Sequence, residues 1–436
     1  MPADAPLTTR DRSEVICHRG NRTVTVGAFL DEAAAVAARL PEHGHAANLC
    51  ADRYFALVGF AAALMRGHPT LLGGGSGATP EFLRMVAERY PGTYAMVDGP
   101  RPETALPMLR VDEAGTVAGI SVPPIPLDRV AAIAFTSGST GAPTAHLKPW
   151  DALIAAADAA AERFGLLHGL RANIVATVPP QHMYGFETTM MLPLRAAVAI
   201  HAGATFFPSD VRDALASVPA RRILVTTPLH LRALLADGRP MPPLDAVISA
   251  TAPLAREIAE AVERDWDVPM LEIYGASEAG SMASRRTIRD DTWLPYSGVR
   301  LQPGVALVPG LGAVPLADAL EFDADGRFRL MGRLADVVKL GGKRASLAEL
   351  NRALGAVPGV LDGVFVPPED IASNPTARLT AYVVAPGRSA DDILGALRGR
   401  LDPAFLPRRM IMVAALPRDG TGKLPRQALA ALAGEA

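Results

Sequence analysis

Four hydroxyls and two glycines stand together at Thr136, Ser137, Gly138, Ser139, Thr140 and Gly141, directly after an apolar run at 131–135. Glycine lets a backbone come close to a ligand, and successive N–H groups with hydroxyls can surround phosphate oxygens. The spacing is not G-x-x-x-x-G-K-[ST], so this is not the loop of a P-loop NTPase; alone, it also reads as an ordinary surface turn. A second group is EIYGASEAG at 272–280. Past the carboxyl end of a strand, the Tyr274 ring could stack on a base and the Glu278 carboxylate could hold Mg²⁺. The same residues also read as a helix start capped by Ser277. Asp318 could accept two ribose hydroxyls, while Arg333 and Lys339, with Lys343 beside Gly341 and Gly342, could supply charge near a phosphate. Lys423, between Gly422 and Leu424 near the chain end, is a cation on a glycine-bearing loop that could enter a site in one conformation only. His182, in PPQHMYG at 179–185, could line an acid pocket or could hydrogen-bond nearby backbone.

These residues need a scaffold, and the pattern around them supplies one. Short β-rich runs at 172–178, 223–227, 245–249 and 270–274 alternate with helical stretches. This predicts an α/β chain: a large N-terminal part of several subdomains, with mostly parallel sheets flanked by helices. Apolar positions three and four apart predict amphipathic helices at 26–40, 150–164 and 254–266. The apolar run 55–65 is far shorter than the roughly 20 residues that span a bilayer and reads as a core helix. After the glycine-rich segment near 332–344, a helix at 346–354, β-like runs at 359–366 and 379–384 and a second helix predict a small α+β domain. The expected division is 1–333 and 334–436.

The 436 residues are 49% hydrophobic and 20% charged, which excludes extended disorder as the main state. A formal charge of −2 gives no basic field for holding a nucleic acid by counterion release. Cys17 and Cys50 have no partners at metal-ligand spacing, and His43 and His45 lack a third ligand. No apolar stretch follows the N-terminal charges as a signal peptide requires, so the expected location is the cytoplasm.

Taken in order, the motifs resemble the adenylate-forming superfamily of acyl-CoA synthetases, aryl-acid ligases and peptide-synthetase adenylation domains. TSGSTGAP at 136–143 is similar to its phosphate loop, PPQHMYG to its pocket-histidine segment, and SATAPL at 249–254 to its adenine-contacting turn. YGASEAG at 274–280, Asp318, the stretch 322–344 and GTGKLPR at 420–426 come next in the family's order. The resemblance implies ATP-dependent activation of a carboxylic acid to an acyl-adenylate, then transfer to the thiol of CoA or of a carrier protein's phosphopantetheine. Under it, Lys423 neutralises the carboxylate and α-phosphate, Glu278 holds Mg²⁺, Ser277 meets the α-phosphate, and Tyr274 stacks on adenine. Ala250, Thr251 and Lys339 join the nucleotide contacts, Asp318 takes the ribose and Arg333 lies near ribose and phosphate. His182, Tyr184, Thr226, Ser249 and Gly275 border the acid. The small C-terminal domain would be a mobile lid.

Three departures stand out. Thr144 occupies the place of the usual loop lysine, and Lys148, with His146, is the expected substitute. Ala335 stands where the hinge commonly has Asp or Lys, with Asp336 next. Ser277 replaces the commoner threonine and keeps the hydroxyl. The form TSGSTG-x-P-x-x-H-x-K resembles compact ligases of bacterial aryl-polyene and related pathways, which favours an aromatic or medium-length acid. The other readings are a degenerate nucleotide-binding module and an adenylating enzyme with a non-thiol acceptor.

Overall fold

Apolar runs of four to seven residues become strands here because helices cover both of their faces. Ala172–Ala176, for example, is buried at every position. The computed structural model describes residues 3–73, 79–99, 103–117, 119, 121–136, 143–167, 171–203, 205–333, 337–340, 343–368, 378–418, 424 and 428; for Arg333, Val337, Lys339, Arg344 and Ala348 it describes the backbone alone. The chain divides into two compact units, Met1–Arg300 with Ala306–Val314, and Leu301–Val305 with Pro315–Ala436.

In the larger unit, the described residues form two principal sheets. The six-stranded one ends in an antiparallel pair, β1 (Val130–Thr136) and β2 (Thr144–Pro149), joined to a parallel centre. In the nine-stranded one, β3 (Arg222–Thr226), β4 (Ala246–Ser249) and β5 (Met270–Ala276) lie side by side and parallel, Thr226 opposite Ser249 and Ser249 opposite Glu272. Antiparallel β6 (Gly280–Arg286) then pairs with β5. Strands β3, β4 and β5 begin and end within two residues of the runs predicted at 223–227, 245–249 and 270–274.

Helix Arg53–Arg66 bears out the core helix expected at 55–65. Asp52 caps it by accepting from the Tyr54 N–H at 2.8 Å, and Gly67 ends it at φ 80°, a conformation that favours glycine. Its residues are buried nearly all round, and Phe60 meets Phe186 edge-on at 4.9 Å between ring centroids. The helices Val26–Arg39, Trp150–Arg163 and Arg256–Trp266 lie where the periodicity put them. Among the described residues, no helix is long and apolar enough to cross a membrane.

One alternative is overturned. Residues 272–280 do not start a helix; they run out along β5, turn through Ser277, Glu278 and Ala279, and return in β6.

The smaller unit has its own core, with Leu350, Leu354, Phe365, Val383 and Leu397 among its members. A hairpin of Asp318–Phe322 and Phe328–Arg333 precedes the paired strands Val337–Leu340 and Lys343–Ser346. Helix Leu347–Gly355, a mixed sheet of Asp362–Val366, Thr380–Val384 and Arg409–Met412, and helix Ala390–Arg398 complete it. Ser389 and Asp392 close a capping box on the last helix. The hairpin thus packs with the smaller unit, whereas the expected hinge, Ala335 and Asp336, lies outside the described residues.

Candidate active site

The carboxyl ends of β3, β4 and β5 gather most of the described candidates in the larger unit. At the end of β3, the Thr226 hydroxyl is fully buried and shares a hydrogen bond with Thr177 at 2.9 Å. Thr227 next to it caps helix Pro228–Asp237 and meets His230 Nδ1 at 2.8 Å. At the end of β4, the Ser249 hydroxyl is fully buried with no hydrogen-bond partner among the described residues. Ala250 is next, then Thr251 at φ 81°. A β-branched residue in the left-handed region is strained, and such strain gathers at functional turns.

The β5–β6 turn carries Ser277 and Glu278 partly exposed. Its approach is tight: a Cβ on Gly275 would lie 2.7 Å from the Gly280 carbonyl oxygen. Gly280 has φ 84°, and a Cβ there would lie 2.6 Å from Glu187 Oε1. Below the turn, buried Glu272 accepts from the Leu254 N–H at 2.8 Å, Arg285 Nε at 2.8 Å and the Thr287 hydroxyl at 3.1 Å. Arg285 in turn lies over the Trp293 ring at 4.5 Å, and Trp293 packs against Tyr274 at 5.8 Å. Tyr274 is therefore mostly buried, fixed by its neighbours on the sheet.

His182 caps a one-turn helix, Met183–Phe186, with Nδ1 accepting from the Tyr184 N–H at 3.3 Å. Its backbone-bonding alternative is thereby realised. The Tyr184 ring is buried and its hydroxyl donates to the Ile248 carbonyl at 2.8 Å, tying this helix to β4.

The β1–β2 pair brackets the phosphate-loop candidate. Thr136 stands opposite Thr144, and its hydroxyl meets His146 Nε2 at 2.9 Å. Thr144, in the place of the usual lysine, is exposed. Lys148, the expected substitute, is 1% exposed, and its Nζ donates to the Glu278 backbone carbonyl at 2.6 Å. This ammonium is thus turned inward, onto the backbone of the acid-bearing turn. Burial lowers its pKa to about 8, against the opposing pull of Glu187 and Glu278.

Glu187, which sequence reasoning missed, is the buried partner of that turn. Its carboxylate accepts from the Ser281 N–H at 3.1 Å and from the Ser281 hydroxyl, and burial raises its pKa. The available clue was one carboxylate in the otherwise uncharged stretch 186–194.

In the smaller unit, Asp318 and Arg333 are register partners across their hairpin. Lys339 sits in strand Val337–Leu340 opposite Arg344, and Lys343 pairs with Asp402 at 2.5 Å. Ser137, Gly138, Ser139, Thr140, Gly141 and Lys423 lie outside the described residues. Cys17 and Cys50 are free but buried, and burial pushes both thiols up, which removes them as nucleophiles. Among the described residues, no three His, Cys, Asp or Glu side chains could together hold a metal ion. A lone carboxylate such as Glu278 still fits Mg²⁺ that arrives on substrate phosphates, since this ion commonly takes one or two carboxylates and fills the rest with phosphate and water.

Residues 78–307 match the family described as AMP-binding enzyme. The chain belongs to the AMP-binding enzymes. Among curated relatives of this AMP-binding enzyme, a 4-coumarate–CoA ligase of Rhodobacter capsulatus is 29% identical over 298 residues, covering 67% of this chain and 74% of the relative. A second 4-coumarate–CoA ligase, from Halorhodospira halophila, is 30% identical over 66% of this chain and 73% of its own length. A 4-chlorobenzoate–CoA ligase of an Arthrobacter species is 25% identical over 80% and 75%. The fold matches that of o-succinylbenzoate CoA synthetase from Bacillus subtilis, solved with its acyl-adenylate, at a TM-score of 0.81 and 17% identity, covering 97% of this chain and 96% of that one. It also matches an amide bond synthetase from Marinactinospora thermotolerans at 0.77 and 19%, covering 96% and 97%.

Proposed function

We propose that this AMP-binding enzyme activates a small carboxylic acid, aromatic or of medium length, with ATP and then passes the acyl group to a thiol. The observation that carries the proposal is the alignment of the β3, β4 and β5 ends, which brings the Thr226, Ser249–Thr251 and Ala276–Gly280 segments to one edge of a parallel sheet. That edge is where open α/β sheets bind ligands. The CoA ligases among the relatives support the choice of reaction.

In the first step a carboxylate oxygen bonds to the α-phosphorus and the bond to pyrophosphate breaks. Both reactants are anionic, so charge neutralisation and positioning carry the catalysis. Mg²⁺, when bound, supplies positive charge to the phosphates. In this reading Glu278 holds that ion, Ser277 contacts the α-phosphate, Tyr274 and the Ala250–Thr251 turn border the adenine, and Thr136 opens the phosphate loop Ser137–Gly141. Asp318 accepts the ribose hydroxyls, Arg333 and Lys339 add charge, and Lys423 neutralises the carboxylate as it attacks. His182, Tyr184, Thr226, Ser249 and Gly275 surround the acid. In the second step a thiol sulfur bonds to the acyl carbon, AMP departs and the thiol proton passes to solvent. The acceptor is CoA or a carrier protein's phosphopantetheine, and residues 334–436 act as a mobile lid domain.

Acid-dependent ATP–pyrophosphate exchange with Mg²⁺ tests the proposal, run over benzoates, cinnamates and short to long fatty acids. Exchange with one class, and then thioester formation on CoA or a carrier protein, is the expected result. Binding of ATP without exchange for any acid would favour the degenerate module instead. Exchange with capture on an amine but no thiol would replace the second step.

A further inference from the structure

The turn that carries Glu278 is held by two buried charges of opposite sign, brought from two distant parts of the chain. From β2, Lys148 Nζ donates to the Glu278 carbonyl oxygen at 2.6 Å. From the π-helical segment Glu187–Met191, the Glu187 carboxylate takes both the N–H and the hydroxyl of Ser281, on the returning arm of the turn. Both side chains are almost wholly buried. Gly280 leaves room for this grip, since any side chain there would meet Glu187 Oε1. Charge-assisted hydrogen bonds to backbone are stronger than neutral ones, and a buried ammonium or carboxylate without a partner is costly. The turn is thus fixed at Glu278 and at Ser281, on either side of Gly280.

We propose that Lys148 and Glu187 are positioning residues for the Glu278 carboxylate, acting through the turn backbone, and that Lys148 is not a substitute phosphate ligand for the lysine missing at Thr144. This rests on the reading of Glu278 as the magnesium-binding acid. Preorganised supports behind a ligating side chain matter because a metal-bound carboxylate works only in a narrow geometry.

The test is a double-mutant cycle on acid-dependent exchange, with the Mg²⁺ concentration for half-maximal rate measured alongside. Lys148→Met and Glu187→Gln should each lower the maximal rate about 10- to 100-fold and raise the Mg²⁺ requirement, as loss of a supporting partner does at metal sites. In a Glu278→Gln background, either change should add less than about threefold, because the group it positions is already gone. If Lys148 contacts phosphate directly, its effect multiplies with that of Glu278→Gln and appears mainly in the KM for ATP, which overturns the proposal. A purely structural role lowers the melting temperature and leaves rate and Mg²⁺ requirement unchanged well below it, which also overturns it. Should Lys148→Met fail to fold, Ser281→Ala, which removes one bond to Glu187, is carried through the same cycle. Absence of exchange in the wild-type enzyme would count against the adenylation reading alone; the cycle is then read from Mg²⁺-dependent ATP affinity by calorimetry, where additivity still rejects the clamp.

Discussion

Two hairpins carry candidate nucleotide residues, and they are built on different principles. The β5–β6 hairpin of the larger unit is anchored by buried charge: Glu272 holds Arg285, Thr287 and the Leu254 N–H, while Glu187 holds Ser281. The Asp318–Phe322 and Phe328–Arg333 hairpin of the smaller unit has mostly partly exposed positions in its first strand, and its Arg329–Asp323 ion pair, at 2.8 Å, is at the surface. In the first, side chains from three elements fix the turn. In the second, backbone pairing sets Asp318 opposite Arg333. The difference teaches that one turn is braced by buried charged side chains from other elements, whereas the other hairpin is ordered by strand pairing and by Phe322 against Phe328 at 6.1 Å between ring centroids.

The largest effect expected from breaking this contrast comes from Glu272→Ala. It leaves Arg285 without its carboxylate and the Leu254 N–H without an acceptor, and should cost about 3 kcal/mol in urea unfolding. Next is Gly280→Ala, which meets Glu187 in a left-handed backbone; a loss of about 2 kcal/mol is expected, along with reduced exchange activity at room temperature. A third test sharpens the contrast through pH. Burial lowers Lys148 to about 8 from an ordinary 10.5. Between those values the unfolded chain keeps a proton that the folded chain has released, so this group makes stability rise with pH. Denaturation at about pH 8 and about pH 10 should show that rise in the wild-type protein, less of it in Lys148→Met. The smallest effect belongs to the exposed hairpin: Arg329→Ala should change unfolding free energy by no more than about 0.5 kcal/mol, and a larger loss would erase the distinction between the two hairpins.

The sequence made the parallel strands and the main helices readable because apolar periodicity and end signals are local. The turn at 272–280 was harder, since Ser277 and Glu278 suit a helix start as well as a ligand-binding segment past a strand end. A deciding contact lies outside that short motif: Glu272 pairs with Arg285 across the strands. The surroundings of Lys148 were out of reach of the sequence for a related reason. With His146 it reads as a substitute for the loop lysine, and nothing local shows that it is buried or that its acceptor is 130 residues away. Asp318 and Arg333 were legible as types, but only the register makes them partners.

The π-helical segment Glu187–Met191 lies between the helical turns Met183–Phe186 and Leu192–Arg195. A wide turn of this kind holds one more residue than an α-helical turn, so it sets the rotational phase between the helical turns on its two sides. Removing a single residue there would let the helix close up, but everything on one side would swing by about 100° relative to the other. Glu187 could then no longer face Ser281 while Tyr184 still reached Ile248. This stretch should therefore accept no change in length, a constraint on the spacing of the chain that adds to the one its buried side chains already impose.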